Sequence, residues 1–285
     1  MFRGKQIVSA ISLLIGLALS THASAHDTWL LADSSNAAND ANSRTTHREL
    51  ALQLTTGSEF PALGSSTTPD RLTRASLISN DASLPLIMGK STEATLGLRG
   101  ITTDNSVVMA VAQLKPMVIE LKPDVVAAYL KELGGSLSIS RRYQALGHWR
   151  ESYSKNAKMW IRVGTDAAPA SMLKPMNLPY ELVPSSDPTR LKVGAKLEIC
   201  AYASGKPTGK SYLGMVAADG TKTMQWSNAK GCASFKLRSA SGFLMHGILI
   251  SESQQPELDW ESHFASFTVV DTAPNTAASA ATSTP

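Results

Sequence analysis

Apolar residues in this chain recur mostly at every second position, and past the N-terminal region one stretch breaks that rhythm. Leu50, Leu52 and Leu54 alternate with polar or small residues, the period of a strand with one face buried. Residues 106–112 and 117–121 are further strand candidates, and 158–163 sets Met159, Ile161 and Val163 against Lys158 and Arg162. The exception is 123–135. There Pro123 stands near a first turn, apolar residues follow at helical spacing and Gly134-Gly135 closes the run, which predicts a short amphipathic helix. Residues 32–48 are rich in Ser, Asn and Ala without periodicity and read as a loop.

Residues 165–177, rich in Ala, Pro and Met, read as a linker, after which strand-like segments return at short spacing. Turn signals at Ser204-Gly205-Lys206-Pro207 and Asp219-Gly220 separate them. The expected fold is mainly β, with two β-sandwich, immunoglobulin-like domains and one short helix in the first. Its parts are an N-terminal β domain over 26–165, a linker over 166–177 and a C-terminal immunoglobulin-like sandwich over 178–271. The last fourteen residues, 272–285, carry no charged or aromatic side chain and predict a disordered tail.

The N-terminal region has a different character. Arg3 and Lys5 precede an apolar run over 7–19, and Ala23-Ser24-Ala25 fits a small-x-small cleavage site, so 1–25 reads as a secretion signal. No later segment approaches a membrane-spanning length, which predicts an exported, periplasmic protein without a span after cleavage. Taking residues 1–25 from the 285 leaves 260 and removes two cations and no acids, so the formal charge falls from +4 to +2. With no basic block remaining and an aromatic content of 6%, a nucleic-acid platform is excluded. Cys200 and Cys232 lack CxxC or CxxH neighbours; in an exported chain they predict a disulfide between two strands, with buried free thiols as the alternative.

Cleavage before His26 would make a histidine the first residue, and its α-amine and imidazole together form a chelate for a transition metal. His26-Asp27-x-Trp29-Leu30 is also the first of a series of blocks. Others are Gly57-x-x-Phe60-Pro61, Tyr129-Leu130-Lys131-Glu132-x-Gly134, Glu151-x-Tyr153-Ser154-x-x-Ala157-Lys158 and Leu178-Pro179-x-Glu181-Leu182-Val183-Pro184. Gly205-Lys206-Pro207, His246 and Asp259-Trp260-Glu261-Ser262-x-x-Ala265-Ser266-Phe267-Thr268 complete it. In order and coverage, almost end to end, they resemble the exported family called domain of unknown function 4198. That family is grouped with periplasmic components of nickel and cobalt uptake, so the resemblance implies a metal ion as ligand and an inner-membrane metal transporter as partner.

His246, inside the apolar run 242–250, needs its ring nitrogens satisfied by a hydrogen bond or a metal, and is the candidate second imidazole beside His26. Asp259, Glu261 and His263 alternate into the last strand; Glu261 is the candidate supporting partner of the metal site, with His263 and Asp259 weaker members. Glu151, Tyr153, Lys155 and Lys158 form a second polar group, read as an ion-paired structural element or a partner surface. His148 and His47 read as surface residues.

Enzyme templates are absent: no nucleophile elbow, HExxH, phosphate loop or dinucleotide fingerprint occurs. An N-terminal histidine brace also holds copper in polysaccharide monooxygenases, but their extended motifs are missing. The sequence therefore predicts a non-enzymatic, periplasmic transition-metal-binding accessory protein for nickel or cobalt, with copper binding as well. The alternative is a metal-free envelope adhesion or assembly module that binds a protein or glycan through its immunoglobulin-like domain.

Overall fold

The computed structural model describes residues 26–33, 48–79, 82–103, 107–239 and 242–271. The expected signal segment, most of the polar loop and the expected disordered tail lie outside the described residues. The N-terminal part runs β1 (Asp27–Ala32), β2 (Arg48–Gly57), β3 (Leu72–Ser79), β4 (Ala82–Pro85), β5 (Ile87–Met88), β6 (Leu96–Thr102) and β7 (Val107–Glu120). Two helices, α1 (Pro123–Glu132) and α2 (Leu137–Leu146), lead into β8 (Arg150–Arg162). Then come β9 (Glu181–Pro184), β10 (Lys196–Ala203), β11 (Lys206–Pro207), β12 (Tyr212–Ala217), β13 (Lys222–Trp226), β14 (Cys232–Lys236), β15 (Phe243–Glu252) and β16 (Trp260–Asp271).

The architecture is mainly β and sandwich-like, as the alternating pattern implies. A central eight-stranded sheet runs β13-β12-β15-β16-β8-β7-β3-β4. One face carries the sheet β1-β2-β6-β5; the other carries β11-β10-β14, with β9 paired to β10. β7 shows why: Val108, Ala110 and Ala112 pack with Leu52 and Leu98, while Val107, Met109 and Val111 pack with Ile199 and Phe235. A strand that must be apolar on both faces loses its alternation and reads as a continuous hydrophobic run.

The division anticipated at 166–177 separates β8 from β9 along the chain, but it does not separate the sheets. β16 pairs with β8 in parallel from Trp260–Glu151 to Asp271–Arg162, so both segments contribute strands to one central sheet. The core beneath β1, β2 and β6 is drawn from residues 30–163, whereas the opposite core combines 172–269 with Val107, Met109, Val111 and Trp160.

α1 has the expected form, with Pro123 in its first turn and Val126 and Tyr129 buried. Gly134 follows at φ 72°, and a Cβ there would lie 2.4 Å from the Trp226 ring, so both backbone conformation and close approach require glycine. The second helix, α2, is a departure from the single helix expected. Its Ser-rich opening and absence of buried residues mask the pattern, although Ile139 and Tyr143 one turn apart and the left-handed Gly147 at its end mark it. Cys200 and Cys232 face each other in the β10–β14 register and are joined by a disulfide. Glu198 lies beside them, but sulfurs bonded to each other offer no thiolate to a metal. No helix among the described residues is long and apolar enough to cross a membrane.

One ion pair spans the inner layers. Lys158 Nζ lies 2.9 Å from Glu181 Oε2, with the two side chains 4% and 0% exposed, and Glu181 Oε1 accepts from the backbone of Met176 and Leu178. Burial drives the lysine pKa down, and the glutamate charge opposes that shift. Lys158→Met should strand the carboxylate and lower stability by about 3–5 kcal/mol in urea unfolding. A loss below about 1 kcal/mol would show that the pair does not help hold β9 to β8.

Candidate functional site

The site begins with a buried carboxylate. Glu151, Tyr153 and Lys155 project from one face of β8, and Lys158 from the other. Trp149 Nε1 donates to Glu151 Oε2 at 2.6 Å, Tyr129 Oη donates to Oε1 at 3.0 Å, and Ser262 Oγ also donates to Oε1. Tyr129 comes from α1 and Ser262 from β16, so one side chain ties helix to sheet. Trp149, Trp260, Phe264, Val126 and Leu133 enclose it. Burial raises the Glu151 pKa, and the three hydrogen bonds hold the rise down.

Four residues further along β8, Lys155 turns toward the start of β1. Its ammonium donates to the carbonyl of His26 at 2.6 Å and stands 5.5 Å from the ring centres of Tyr153 and Phe264. Burial brings its pKa down to about 8, with Arg71 adding to the fall and Asp27 and Glu151 opposing it. The His26 imidazole is also pushed down, first by burial and then by Lys155, while Asp27 opposes. The ring is thereby held in the neutral form that ligates metals.

Asp27 is the anion at the centre. Its Oδ2 accepts from His246 Nδ1 at 3.0 Å, so β1 and β15 meet through this pair. Burial opposes charge on His246, but Asp27, by charge and hydrogen bond, and Glu132 by charge turn the net shift upward. Glu132, at the exposed end of α1, is itself raised to about 7, first by partial burial and then by Asp27, with His246 and Lys222 opposing. Its solvent exposure screens part of that effect. These groups border a cavity of about 260 Å³ lined by Asp27, Trp29, Phe60, Glu132, Met224 and His246. Among the described residues, His246 Nε2 is buried without a hydrogen-bond partner.

The sequence-derived candidates divide. His246 meets the Asp27 carboxylate at the end of β1, and His26 is held beside it through its backbone carbonyl, which accepts from Lys155; no contact among the described residues joins the His26 and His246 rings. In the β15–β16 register His246 opposes Ser266, so it shares a face with Ser262, Phe264 and Thr268, while Glu261 and His263 point to the other face. Glu261 therefore does not back His246; alternation along β16 separates them. It pairs instead with His263 at 3.5 Å, whose Nδ1 lies 2.6 Å from Ser154 Oγ. Burial lowers the His263 pKa, and Glu261 opposes that fall. Asp259 meets His148 Nδ1 at 2.9 Å and the Arg150 amide at 2.7 Å, holding the chain before β16. Sequence reading passed over Asp27 as a partner of His246, and also Glu132 and Met224. Asp27 stands beside His26 in the first block and Glu132 in the block Tyr129–Gly134, a signal for each; Met224 carries none, because a strand supplies it to a cavity that exists only in the fold.

The family model described as "Domain of unknown function (DUF4198)" matches residues 23–247. The chain belongs to that family. Its match reaches from just before His26 to just after His246, so it encloses both members of the Asp27–His246 pair and all of α1. Asp259, Glu261 and His263 fall outside the matched span. A search of curated proteins finds no match. Two solved structures align over 86% of this chain, described as "Structural insight into host cell surface retention of a 1.5-MDa bacterial ice-binding adhesin" and "Ca2+-stabilized adhesin helps an Antarctic bacterium reach out and bind ice". Identity is 6% and 10%, TM-score 0.22 and 0.21, and the alignment spans 64% and 49% of those chains. At these scores the two alignments carry no argument for fold or function.

Tyr129→Phe tests the role of the buried carboxylate. Removing a donor from Glu151 should lower stability by about 1.5–3 kcal/mol at pH 7. The pH dependence follows from the raised pKa. A carboxyl held above its ordinary 4.5 in the folded state favours folding below that value, and this contribution is lost as pH rises through the folded pKa. The variant removes one bond that keeps the rise small, so its deficit in chemical denaturation should grow from pH 4 to pH 7. A deficit independent of pH would assign Tyr129 a packing role alone.

Proposed function

We propose that the protein is a periplasmic transition-metal-binding accessory protein, linked to nickel or cobalt uptake through an inner-membrane transporter, with copper as a further metal its donors accept. The observation that carries the reading is the Asp27–His246 pair. A carboxylate accepting from Nδ1–H of an imidazole at 3.0 Å orients the ring so that, in its neutral form, Nε2 presents the lone pair, the arrangement that supports metal-ligating histidines. The neighbouring His26, neutral and half-buried, adds an imidazole and, once the preceding residues are removed, an α-amine on the same residue. Nitrogen donors of this kind suit nickel, cobalt and copper(II), with copper the tightest in the usual affinity order. The proposed role is capture or delivery of the ion, with no catalytic step.

The second reading is a metal-free adhesion or assembly module. Its support is Trp226, 51% exposed and 5.0 Å from the Tyr212 ring at the edge of the central sheet, an aromatic face of the kind a glycan or partner protein covers. The readings separate in calorimetric titration of the chain begun at His26 with nickel, cobalt and copper. One saturable site well below the micromolar range is expected, and no saturable binding by any of them would favour the module.

Processing gives a sharper test. With one extra residue before His26 the amine becomes an amide while the imidazole and the Asp27–His246 pair remain. Affinity for nickel and copper(II) should then fall by at least ~10–100-fold, the effect of disturbing even an outer partner of a metal site, with the fold unchanged. Equal affinity of the two forms, both folded, would remove His26 from the metal site.

A further inference from the structure

His246 Nδ1 is engaged by Asp27, and the ring's other nitrogen points away from β1, across β12. Gly214 opposes both His246 on β15 and Met224 on β13, so the three residues form one row on one face of the sheet. A Cβ at Gly214 would lie 2.0 Å from His246 Nε2 and 2.6 Å from Met224 Sδ. The missing side chain therefore lets an imidazole nitrogen and a thioether sulfur approach each other from opposite sides. Their separation cannot exceed the sum of those two distances. That bound leaves both atoms within the reach of one ion bonded at roughly 2.0 Å to nitrogen and ~2.3 Å to sulfur.

We infer that His246 Nε2 and Met224 Sδ form a copper(I) site in the cavity beside Asp27. The donors select the metal state. A thioether is soft and uncharged and favours copper(I), whereas nickel(II) and cobalt(II) prefer the nitrogen and oxygen donors available at His26. The burial of Nε2 without a partner is unfavourable unless a proton donor or a metal meets it, and Met224 offers no proton. Asp27 behind the ring supplies negative charge, and Glu132 at the cavity rim and Lys222 stand on the same wall. A methionine in a half-buried strand more often fills space; the orphaned nitrogen facing it across a glycine sets this one apart.

The inference deepens the metal-binding reading and rests on it only in taking His246 as a ligand, since the α-amine of His26 plays no part. The test uses copper(I) alone, held reduced by ascorbate so that the Cys200–Cys232 disulfide stays closed, and competed against bicinchoninate. Met224→Leu, nearly matched in volume, should weaken copper(I) binding by at least about tenfold and leave nickel(II) affinity unchanged. The wild-type chain with one extra residue before His26 should keep its copper(I) affinity. Loss of nickel binding in that extended chain with copper(I) binding intact would separate the two sites; loss of copper(I) binding there would overturn the inference. Unchanged copper(I) affinity in folded Met224→Leu would also overturn it. Should that variant not fold, copper X-ray absorption of the wild-type protein loaded with one equivalent decides the matter. Sulfur at about 2.3 Å together with nitrogen supports the site, and nitrogen or oxygen neighbours alone refute it.

Discussion

The parallel pairing of β8 with β16 sets the terms for everything around it. Two strands in the middle of a sheet covered on both faces have no water to satisfy their backbone or polar side chains, so each polar group they carry must find a partner inside the protein. β8 carries several. Glu151, Lys155 and Lys158 are all buried, and each is answered by a different neighbour: α1 and β16 for the first, the start of β1 for the second, β9 for the third. The partners of these three side chains are the points at which the outer elements dock.

That docking creates the site. Glu151 pulls Tyr129, and with it α1, onto the sheet, which brings Glu132 to the rim of the cavity. Lys155 fixes the carbonyl of His26, and the next residue, Asp27, then reaches His246 on the far side of β16. Ser266 and Thr268 of β16 reinforce this by donating to the carbonyls of Thr28 and Leu30, so β1 is held along its length by side chains of the sheet it covers. The position of the first residues is therefore set by a hydrogen-bond network in the central layer.

Electrostatics follows from the same geometry. Asp27 acts on Lys155, His26, His246 and Glu132 together, raising the pKa of each. Burial works against charge on all four, and the balance differs: the two histidines are shifted in opposite directions although both stand near one carboxylate. His26 has a buried ammonium close by, while His246 has a direct hydrogen bond to the anion.

Local pattern was sufficient wherever a residue's role depends on its immediate neighbours in the chain. Alternation in β2 and β8, the bounded apolar run of α1 and the strand pair bearing Cys200 and Cys232 were all legible, because side-chain period and turn chemistry are properties of short segments. α2 was not, since it buries no residue fully and so imposes no apolar stripe. The sharing of one sheet by both halves, the face on which Glu261 falls relative to His246, and the meeting of Met224 with His246 across Gly214 were decided by tertiary structure. Each depends on which strand lies beside which and in what register, and register between strands far apart in sequence is set by the packing of the whole core, which no single segment encodes.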